Sequence, residues 1–204
     1  DERVLRGVAV NRAWPPRGKL RAVLCDRDGT LIVDHPYSGD PSLVQPMPGV
    51  VEGLRRLRSR GVALGLVTNQ SAVGRGLITM DDVRAVNDRV AELVGAFDSV
   101  AVCTHRPSDR CRCRKPAPGM IRATARALRI PVRQCVVVGN SGVDIAAARR
   151  AGAAAILVSA GEFWSPDSPT CEPWKAAPPS EDPGGCAVSN FAEAAARILH
   201  YVDL

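Results

Sequence analysis

The alternation of short apolar runs with segments of helical periodicity is the feature that most narrows the possible folds. The runs are rich in Val, Ala and Leu and have the length of buried strands; they lie at 22–25, 62–67, 100–103, 135–138 and 154–158. The segments between them space their apolar residues as one face of a helix does; they lie at 50–60, 80–94, 118–128 and 143–151. Strands that alternate with helices predict an α/β fold built on a doubly wound parallel sheet.

The domain organisation follows from length and composition. A chain of 204 residues with 46% hydrophobic content is long enough for one substantial core. Residues 1–20 show weak periodicity and are predicted to form an N-terminal extension, whereas residues 161–185 are rich in Pro and predict a long loop. The apolar spacing that begins at Phe191 predicts a C-terminal helix. We therefore expect a single domain over residues 21–204, in a monomeric protein.

Composition also narrows the function. The net charge is +6, but the basic residues are scattered along the chain and aromatic residues make up only 4% of it. Nucleic-acid binding typically uses a basic cluster and aromatic stacking platforms, so the sequence argues against a nucleic-acid partner. A positive field would instead attract a small phosphorylated substrate.

The sequence also argues against a membrane partner. No apolar run approaches the length that spans a bilayer, and the opening residues Asp1-Glu2-Arg3 lack the charged-then-apolar pattern of a signal peptide. We therefore expect a cytoplasmic protein.

Two carboxylates follow the first predicted strand, in the segment Asp26-Arg27-Asp28-Gly29-Thr30. Gly29 supplies a flexible turn that lets both carboxylates face one cleft. Asp26 can attack phosphorus as a nucleophile, while Asp28 can protonate the leaving oxygen and later activate water. The alternative is an Asx-turn that only ends the strand.

Polar residues also end the second predicted strand, in Thr68-Asn69-Gln70-Ser71. The Thr68 hydroxyl and nearby N–H groups can hold phosphate oxygens, and the Asn69 amide can orient a substrate. Polar loops after strands are common, so this segment is informative only because of where it lies in the predicted sheet. The carboxyl ends of parallel strands meet at one edge of a sheet, where ligands bind.

Potential metal ligands crowd together after the third predicted strand, namely Cys103, His105, Cys111 and Cys113. Three thiolates and one imidazole satisfy a closed tetrahedral Zn²⁺ site, and the loop between them is too short for a core of its own. These ligands therefore predict a structural zinc loop. A redox pair or unrelated surface thiols are the alternatives, although C-x-C differs from the usual C-x-x-C redox spacing.

Two cations, Arg114 and Lys115, come directly after the last of these cysteines. Lys115 is the only lysine outside residues 1–20 and 161–185, in a chain whose basic residues are almost all arginine. A solvated pair of charges is one interpretation. The other is an ammonium group that neutralises phosphate and carboxylates at the cleft.

The fourth predicted strand leads into the segment Gly139-Asn140-Ser141-Gly142-Val143-Asp144. An oxygen ligand here would lie beside the first strand's carboxylates and complete the coordination of a hard cation such as Mg²⁺. A favourable charge in the first turn of a helix is the alternative explanation of the acidic residue.

Taken in order, the motifs D-x-D-G-T, T-N-Q-S, R-K-P and G-N-S-x-x-D resemble those of the haloacid dehalogenase superfamily of phosphatases. The inserted C-x-H and C-x-C loop is similar to that of the subgroup acting on histidinol phosphate and D-glycero-D-manno-heptose 1,7-bisphosphate. The segment Asp34-His35-Pro36-Tyr37 resembles the heptose-bisphosphate branch. The resemblance covers residues 22–158. It implies a three-layer, Rossmann-like fold without a large cap domain.

The resemblance also implies residue roles. Asp26 would be the nucleophile and a Mg²⁺ ligand, and Asp28 the general acid-base with its carbonyl on the metal. Thr68 and Lys115 would bind the phosphoryl group. The remaining implied roles are substrate positioning by Asn69 and Arg114, Mg²⁺ ligation by Asn140, support of the site by Gly29, Thr30 and Asp144, and Zn²⁺ binding by Cys103, His105, Cys111 and Cys113.

One position departs from the family pattern, because Asn140 stands where these phosphatases usually carry Asp. The change removes a negative charge, which predicts weaker metal affinity. The leading hypothesis is hydrolysis of a heptose bisphosphate, with histidinol phosphate as the runner-up substrate. The alternatives are a catalytically impaired binding module and a 3′-phosphatase acting on nucleic-acid ends.

Overall fold

The structure of the protein is a computed structural model that describes residues 19–158 and 185–202. These residues form one parallel sheet with the strand order β3-β2-β1-β4-β5-β6. The strands are β1 Ala22–Cys25, β2 Ala63–Asn69, β3 Ser99–Cys103, β4 Cys135–Gly139, β5 Ala154–Val158 and β6 Gly185–Val188. The helices are α1 Val50–Ser59, α2 Ser71–Gly74, α3 Met80–Val94, α4 Gly119–Ala127, α5 Gly142–Ala151 and α6 Phe191–Val202.

Helices cover both faces of the sheet, because successive strand residues point to opposite sides. On one face, Val23 and Cys25 of β1 pack in a cluster with residues of α1, α3 and α6. On the other face, Ala22 and Leu24 pack in a second cluster with residues of α4 and α5. Both clusters contain fully buried aliphatic side chains, which explains why the central strands are almost continuously apolar.

The predicted α/β class and doubly wound parallel sheet are confirmed. Each predicted strand and helix is present with bounds within two residues of those expected, and α3 matches at both ends. Helix α3 begins at a capping box in which Thr79 and Asp82 bond each other's backbone N–H groups. Segment 26–49, between β1 and α1, contains one short 3₁₀ turn, Pro41–Leu43.

Strand β6 was not expected from the sequence. The predicted loop at 161–185 is wrong at its last residue, because Gly185 begins β6 and pairs in parallel with Ala155 of β5. The rest of that loop lies outside the described residues, as do residues 1–18 of the predicted extension. Leu20, from the end of that extension, is buried in the core beside β1.

The topology places the ends of four strands at one edge. Cys25 of β1 lies in register with Leu66 of β2 on one side and with Val138 of β4 on the other. Because the strands are parallel, the residues that follow them emerge side by side. Within residues 19–158 and 185–202, no helix has the length and hydrophobicity of a membrane-spanning segment.

Candidate active site

A buried ammonium group ties together two carboxylates at the carboxyl edge of the sheet. Lys115 Nζ lies 2.7 Å from Asp26 Oδ1 and 2.6 Å from Asp144 Oδ1. It also donates to the carbonyl oxygen of Val67, at the end of β2, at 2.8 Å. Lys115 is only 3% exposed. A charge this deeply buried requires partners, so the three acceptors account for the position of the lysine.

Burial and pairing shift the ionisation of this group of charges in a defined way. Burial raises the pKa of Asp26 to about 7, against the opposing pull of Lys115. Burial by itself would lower the pKa of Lys115, but Asp26 and Asp144 together hold it above its ordinary range. Lys115 therefore stays protonated and provides a fixed positive charge beside the Asp26 carboxylate.

The Asp28 carboxylate accepts hydrogen bonds from side chains of two loops, the one after β1 and the one after β2. Arg27 donates from Nε to Asp28 Oδ1 at 2.9 Å and from a second guanidinium nitrogen to Oδ2 at 3.2 Å. Gln70 Nε2 donates to Asp28 Oδ2 at 2.7 Å and to the Thr68 hydroxyl oxygen at 2.9 Å. Because Thr68 accepts from Gln70, its own O–H is left to point elsewhere, toward a phosphoryl oxygen for example.

The loops after β1 and β4 meet at Gly29. This residue has a φ of 71°, and a Cβ placed on it would lie 2.1 Å from Asn140 Nδ2. A side chain is therefore excluded by both backbone conformation and space. The contact brings the amide of Asn140 to the turn that carries both carboxylates.

The oxygen donors at this edge suit a hard divalent cation. Asp26 follows β1, Asn140 follows β4, and the Asp26 N–H bonds the Val138 carbonyl at 2.9 Å, which locks the two strand ends together. Carboxylate, amide and backbone carbonyl oxygens are the ligands that Mg²⁺ takes in proteins. Asp144 is fully buried, accepts a hydrogen bond from the Ser141 N–H and pairs with Lys115, so it helps to hold the lysine in place.

Both polar atoms of the Asn69 side-chain amide bond the backbone of Lys115. Its Nδ2 donates to the carbonyl oxygen of Lys115, and the Lys115 N–H donates to its Oδ1, each at 3.1 Å. The sequence suggested that Asn69 orients a substrate. The structure gives it a further role, because this pair of bonds fixes the backbone of the residue that supplies the buried ammonium group.

The cysteine and histidine ligands converge after β3. Their ligand atoms all lie within 4.8 Å of one another. Cys113 Sγ is 3.4 Å from Cys103 Sγ, 3.4 Å from Cys111 Sγ and 3.3 Å from His105 Nδ1. Ligands of a tetrahedral Zn²⁺ would be roughly 3.8 Å apart for two thiolates, whereas a disulfide needs about 2 Å between sulfurs. The spacing fits a metal and is too long for a disulfide.

Arg114 links this cluster to the active-site edge. Its backbone N–H donates to Cys111 Sγ at 3.3 Å, and its guanidinium lies 3.5 Å from the carbonyl oxygen of His105. Since Lys115 is the next residue, this hydrogen bond connects the backbone beside the buried ammonium group to the cluster.

A small, open cleft lies beside Asp28 and along the segment after β1. Its polar lining comes from Arg27, Asp28, His35, Ser38 and Asp40. Two residues after His35, Tyr37 accepts a hydrogen bond from Arg75, at 3.1 Å, and lies under the same guanidinium. This cleft is open to solvent and has Asp28 in its lining.

Comparison with known proteins gives consistent results. Residues 37–152 match the family model described as haloacid dehalogenase-like hydrolase. The chain is 34% identical, over 147 residues, to a D-glycero-beta-D-manno-heptose-1,7-bisphosphate 7-phosphatase of Bordetella bronchiseptica, covering 70% of this chain and 82% of that protein. The protein of the same name from Pseudomonas putida is 34% identical over 148 residues, with 70% and 85% covered.

A solved structure agrees with the sequence comparisons. The crystal structure of D,D-heptose 1,7-bisphosphate phosphatase from B. bronchiseptica, complexed with magnesium and phosphate, has a TM-score of 0.74 and 30% identity. It covers 88% of this chain, and this chain covers 98% of it. The chain belongs to the haloacid dehalogenase-like hydrolases. The resemblance of its motifs to that superfamily is thereby confirmed, as is the expectation of an enzyme.

In this haloacid dehalogenase-like hydrolase, the sequence-predicted residues fall into two neighbouring groups. The first lies around the carboxyl edge of the sheet and contains Asp26, Asp28, Gly29, Thr30, Thr68, Asn69, Lys115, Asn140 and Asp144. The second is the metal-ligand cluster, with Arg114 between the two groups. Thr30 is buried, and its hydroxyl has no partner among the described residues.

Sequence reasoning missed Arg27, Gln70 and Asn87. Arg27 and Gln70 stand inside the recognised motifs but were given no role, although both bond Asp28. Asn87, on α3, accepts from the Arg27 guanidinium at 2.9 Å. No local pattern in α3 marks this residue, because its partner lies 60 positions away.

Proposed function

We propose that this hydrolase is a Mg²⁺-dependent phosphomonoester phosphatase that works through an aspartyl-phosphate on Asp26. The observation that carries the proposal is the pairing of the Asp26 carboxylate with the buried Lys115 ammonium, at 2.7 Å, beside a second carboxylate two residues along the chain. A nucleophile, a fixed cation and an acid-base group are the parts that phosphoryl transfer to a carboxylate needs.

In the first step, an Asp26 oxygen attacks phosphorus and the bond from phosphorus to the leaving oxygen breaks. Asp28, in its protonated form, donates its proton to that leaving oxygen. The Thr68 hydroxyl and the Lys115 ammonium donate to the phosphoryl oxygens as charge builds on them. When bound, Mg²⁺ would supply further positive charge to the same oxygens, held by Asp26, the Asp28 carbonyl and Asn140.

In the second step, Asp28 is a carboxylate and takes a proton from a water molecule. The water oxygen attacks phosphorus, the bond to Asp26 breaks, and inorganic phosphate is released. Asp28 is thereby protonated again and ready for the next turnover. Asp28 lines the cleft, which is therefore the proposed path of approach for the leaving group and the water.

For the substrate, we propose D-glycero-D-manno-heptose 1,7-bisphosphate, with removal of one of its two phosphates to give heptose 1-phosphate. Two observations support this choice. Several relatives at 31–34% identity carry that substrate in their names. His35 lines the cleft, and Tyr37, two residues further along, bonds Arg75, which adds positive charge to this segment. Arg114 and Asn69 are proposed to position the sugar phosphate.

We further propose that Zn²⁺ occupies the cluster of Cys103, His105, Cys111 and Cys113 and has a structural role. Four protein ligands leave no coordination position for a substrate or a water molecule. Ligand thiolates persist in a reducing compartment, which supports a cytoplasmic location. Residues 21–204 would then act as one monomeric domain.

The proposal is tested by assaying phosphate release from a panel of phosphorylated metabolites, with and without Mg²⁺. The panel should contain the heptose bisphosphate, histidinol phosphate, other sugar phosphates and an oligonucleotide with a 3′-phosphate. We expect the heptose bisphosphate to give the highest kcat/KM, and release to stop when Mg²⁺ is chelated. An absence of release from every sugar phosphate would refute the proposed function.

A further inference from the structure

The side chain of Arg27 is almost completely buried between the active-site edge and helix α3. Its side chain is only 4% exposed. A buried guanidinium needs acceptors for its N–H groups, and the structure supplies them in two directions. One direction is Asp28, which accepts two of its bonds. The other is Asn87 of α3, whose Oδ1 accepts from Arg27 Nη1 at 2.9 Å.

These contacts form a chain from α3 to the reacting group. Asn87 does not reach Asp28 itself; it holds the guanidinium, and the planar guanidinium holds the carboxylate at two points. A fork of this kind fixes the direction of a carboxylate as well as its position. Gln70 completes the arrangement by donating to Asp28 Oδ2 at 2.7 Å.

We infer that Asn87 is a positioning residue for proton transfer by Asp28, acting through Arg27. The inference rests on the proposed role of Asp28 as the general acid-base. Proton transfer requires the Asp28 carboxylate to be positioned within a fraction of an ångström. Without the hydrogen bond from Arg27 to Asn87, the guanidinium would hold this carboxylate less firmly. Asn87 lies on the surface of a helix outside the catalytic loops, and it is half-buried.

Removing the Asn87 acceptor should slow phosphoenzyme formation by a factor that depends on the leaving group. A sugar alkoxide must be protonated as it leaves, whereas p-nitrophenolate leaves readily without a proton. In Asn87→Leu, which keeps the size but removes the acceptor, we expect the rate of phosphoenzyme formation from a sugar phosphate to fall about three- to tenfold. The burst of p-nitrophenol from p-nitrophenyl phosphate should change less than about twofold, and KM should stay the same.

Two further variants complete the design. Asn87→Asp keeps an acceptor oxygen toward Arg27 and is expected to retain nearly the wild-type rate. Asp88→Leu places the same apolar side chain at the adjacent exposed position and should leave both substrates unaffected. Equal losses on both substrates in Asn87→Leu, or an Asn87→Asp variant that is as slow as Asn87→Leu, would overturn the inference.

A measurement without substrate separates this inference from the proposed function. The Arg27 Nε–H resonance, assigned by its loss in Arg27→Lys, should exchange slowly with water in the wild type and in Asn87→Asp. In Asn87→Leu it should exchange at least several times faster. Unchanged exchange would show that Asn87 does not anchor the guanidinium, even if the wild-type enzyme hydrolysed no substrate.

Discussion

The carboxyl edge of the sheet and the metal-ligand cluster are neighbours that are built in opposite ways. The ligands of the cluster all come from residues 103–113, so a short stretch of chain carries the whole site. The carboxyl edge of the sheet, called the catalytic edge below, brings together Asp26, Lys115 and Asp144 from three separate segments. These residues meet because parallel strands end side by side. The cluster is thus a local structure, which the proposed Zn²⁺ would hold together, whereas the catalytic edge depends on the core.

The two sites meet at Arg114 and Lys115. The backbone of Arg114 bonds a cluster sulfur, and the next side chain enters the catalytic edge. We therefore expect substitutions at the catalytic edge to abolish catalysis and to leave the cluster intact. Damage at the cluster should weaken catalysis indirectly.

The largest effect is expected from Asp26→Asn. Removing the nucleophile should lower kcat by at least about 10³-fold, because an amide oxygen does not form the aspartyl-phosphate. Bound zinc, measured by metal analysis, should be unchanged. The exposed substitution Asp81→Asn is the matched control and should keep full activity. Loss of zinc in Asp26→Asn would contradict the expectation that the cluster survives changes at the catalytic edge.

Lys115→Met tests the buried charge itself. It removes the cation that pairs with two buried carboxylates, so we expect both lower activity and a loss of about 3–5 kcal/mol in the free energy of unfolding. Denaturant unfolding measures the second quantity. Lys19→Met, at an exposed lysine, should change neither. A variant of normal stability would mean that the two carboxylates tolerate burial without the lysine.

Cys111→Ser tests the cluster. We expect zinc content to fall well below one equivalent, and activity to fall about tenfold because the backbone that leads to Lys115 loses its anchor. Amide hydrogen exchange should rise in residues 104–114 and stay low in β1 and β4. Cys135→Ala, at a buried cysteine outside the cluster, should keep its zinc. Faster exchange throughout the sheet would contradict a merely local role.

Asn140→Asp gives the smallest expected effect and sharpens the account of the catalytic edge. The added carboxylate should tighten Mg²⁺ binding by about three- to tenfold, measured as the Mg²⁺ concentration that gives half-maximal rate. Asn190→Asp makes the same change of charge at the start of α6, where the side chain caps the helix, and should have no effect. A large gain in turnover at saturating Mg²⁺ would instead support the alternative of a catalytically impaired module.

Much of the fold could be predicted because the signals are local. The apolar runs of β1 and β4 are buried on both faces, and the capping box at Thr79 marks the start of α3. Strand β6 could not be predicted, since its four residues have no distinct pattern and take their conformation from pairing with β5. The residues that we propose to be catalytic stand inside local motifs, so the sequence could name them as candidates.

The sequence by itself determined the order of β1 to β5 and of the longer helices, the pair Asp26 and Asp28, and the four Cys and His side chains that could bind a metal. Each of these is written in residues close together in the chain. Only the tertiary structure decided that Lys115 is buried between two carboxylates, that Asn69 holds its backbone, and that Asn87 reaches Arg27. Those contacts join residues 29 to 89 positions apart, and such separations leave no periodic signal in the chain because packing alone brings them together.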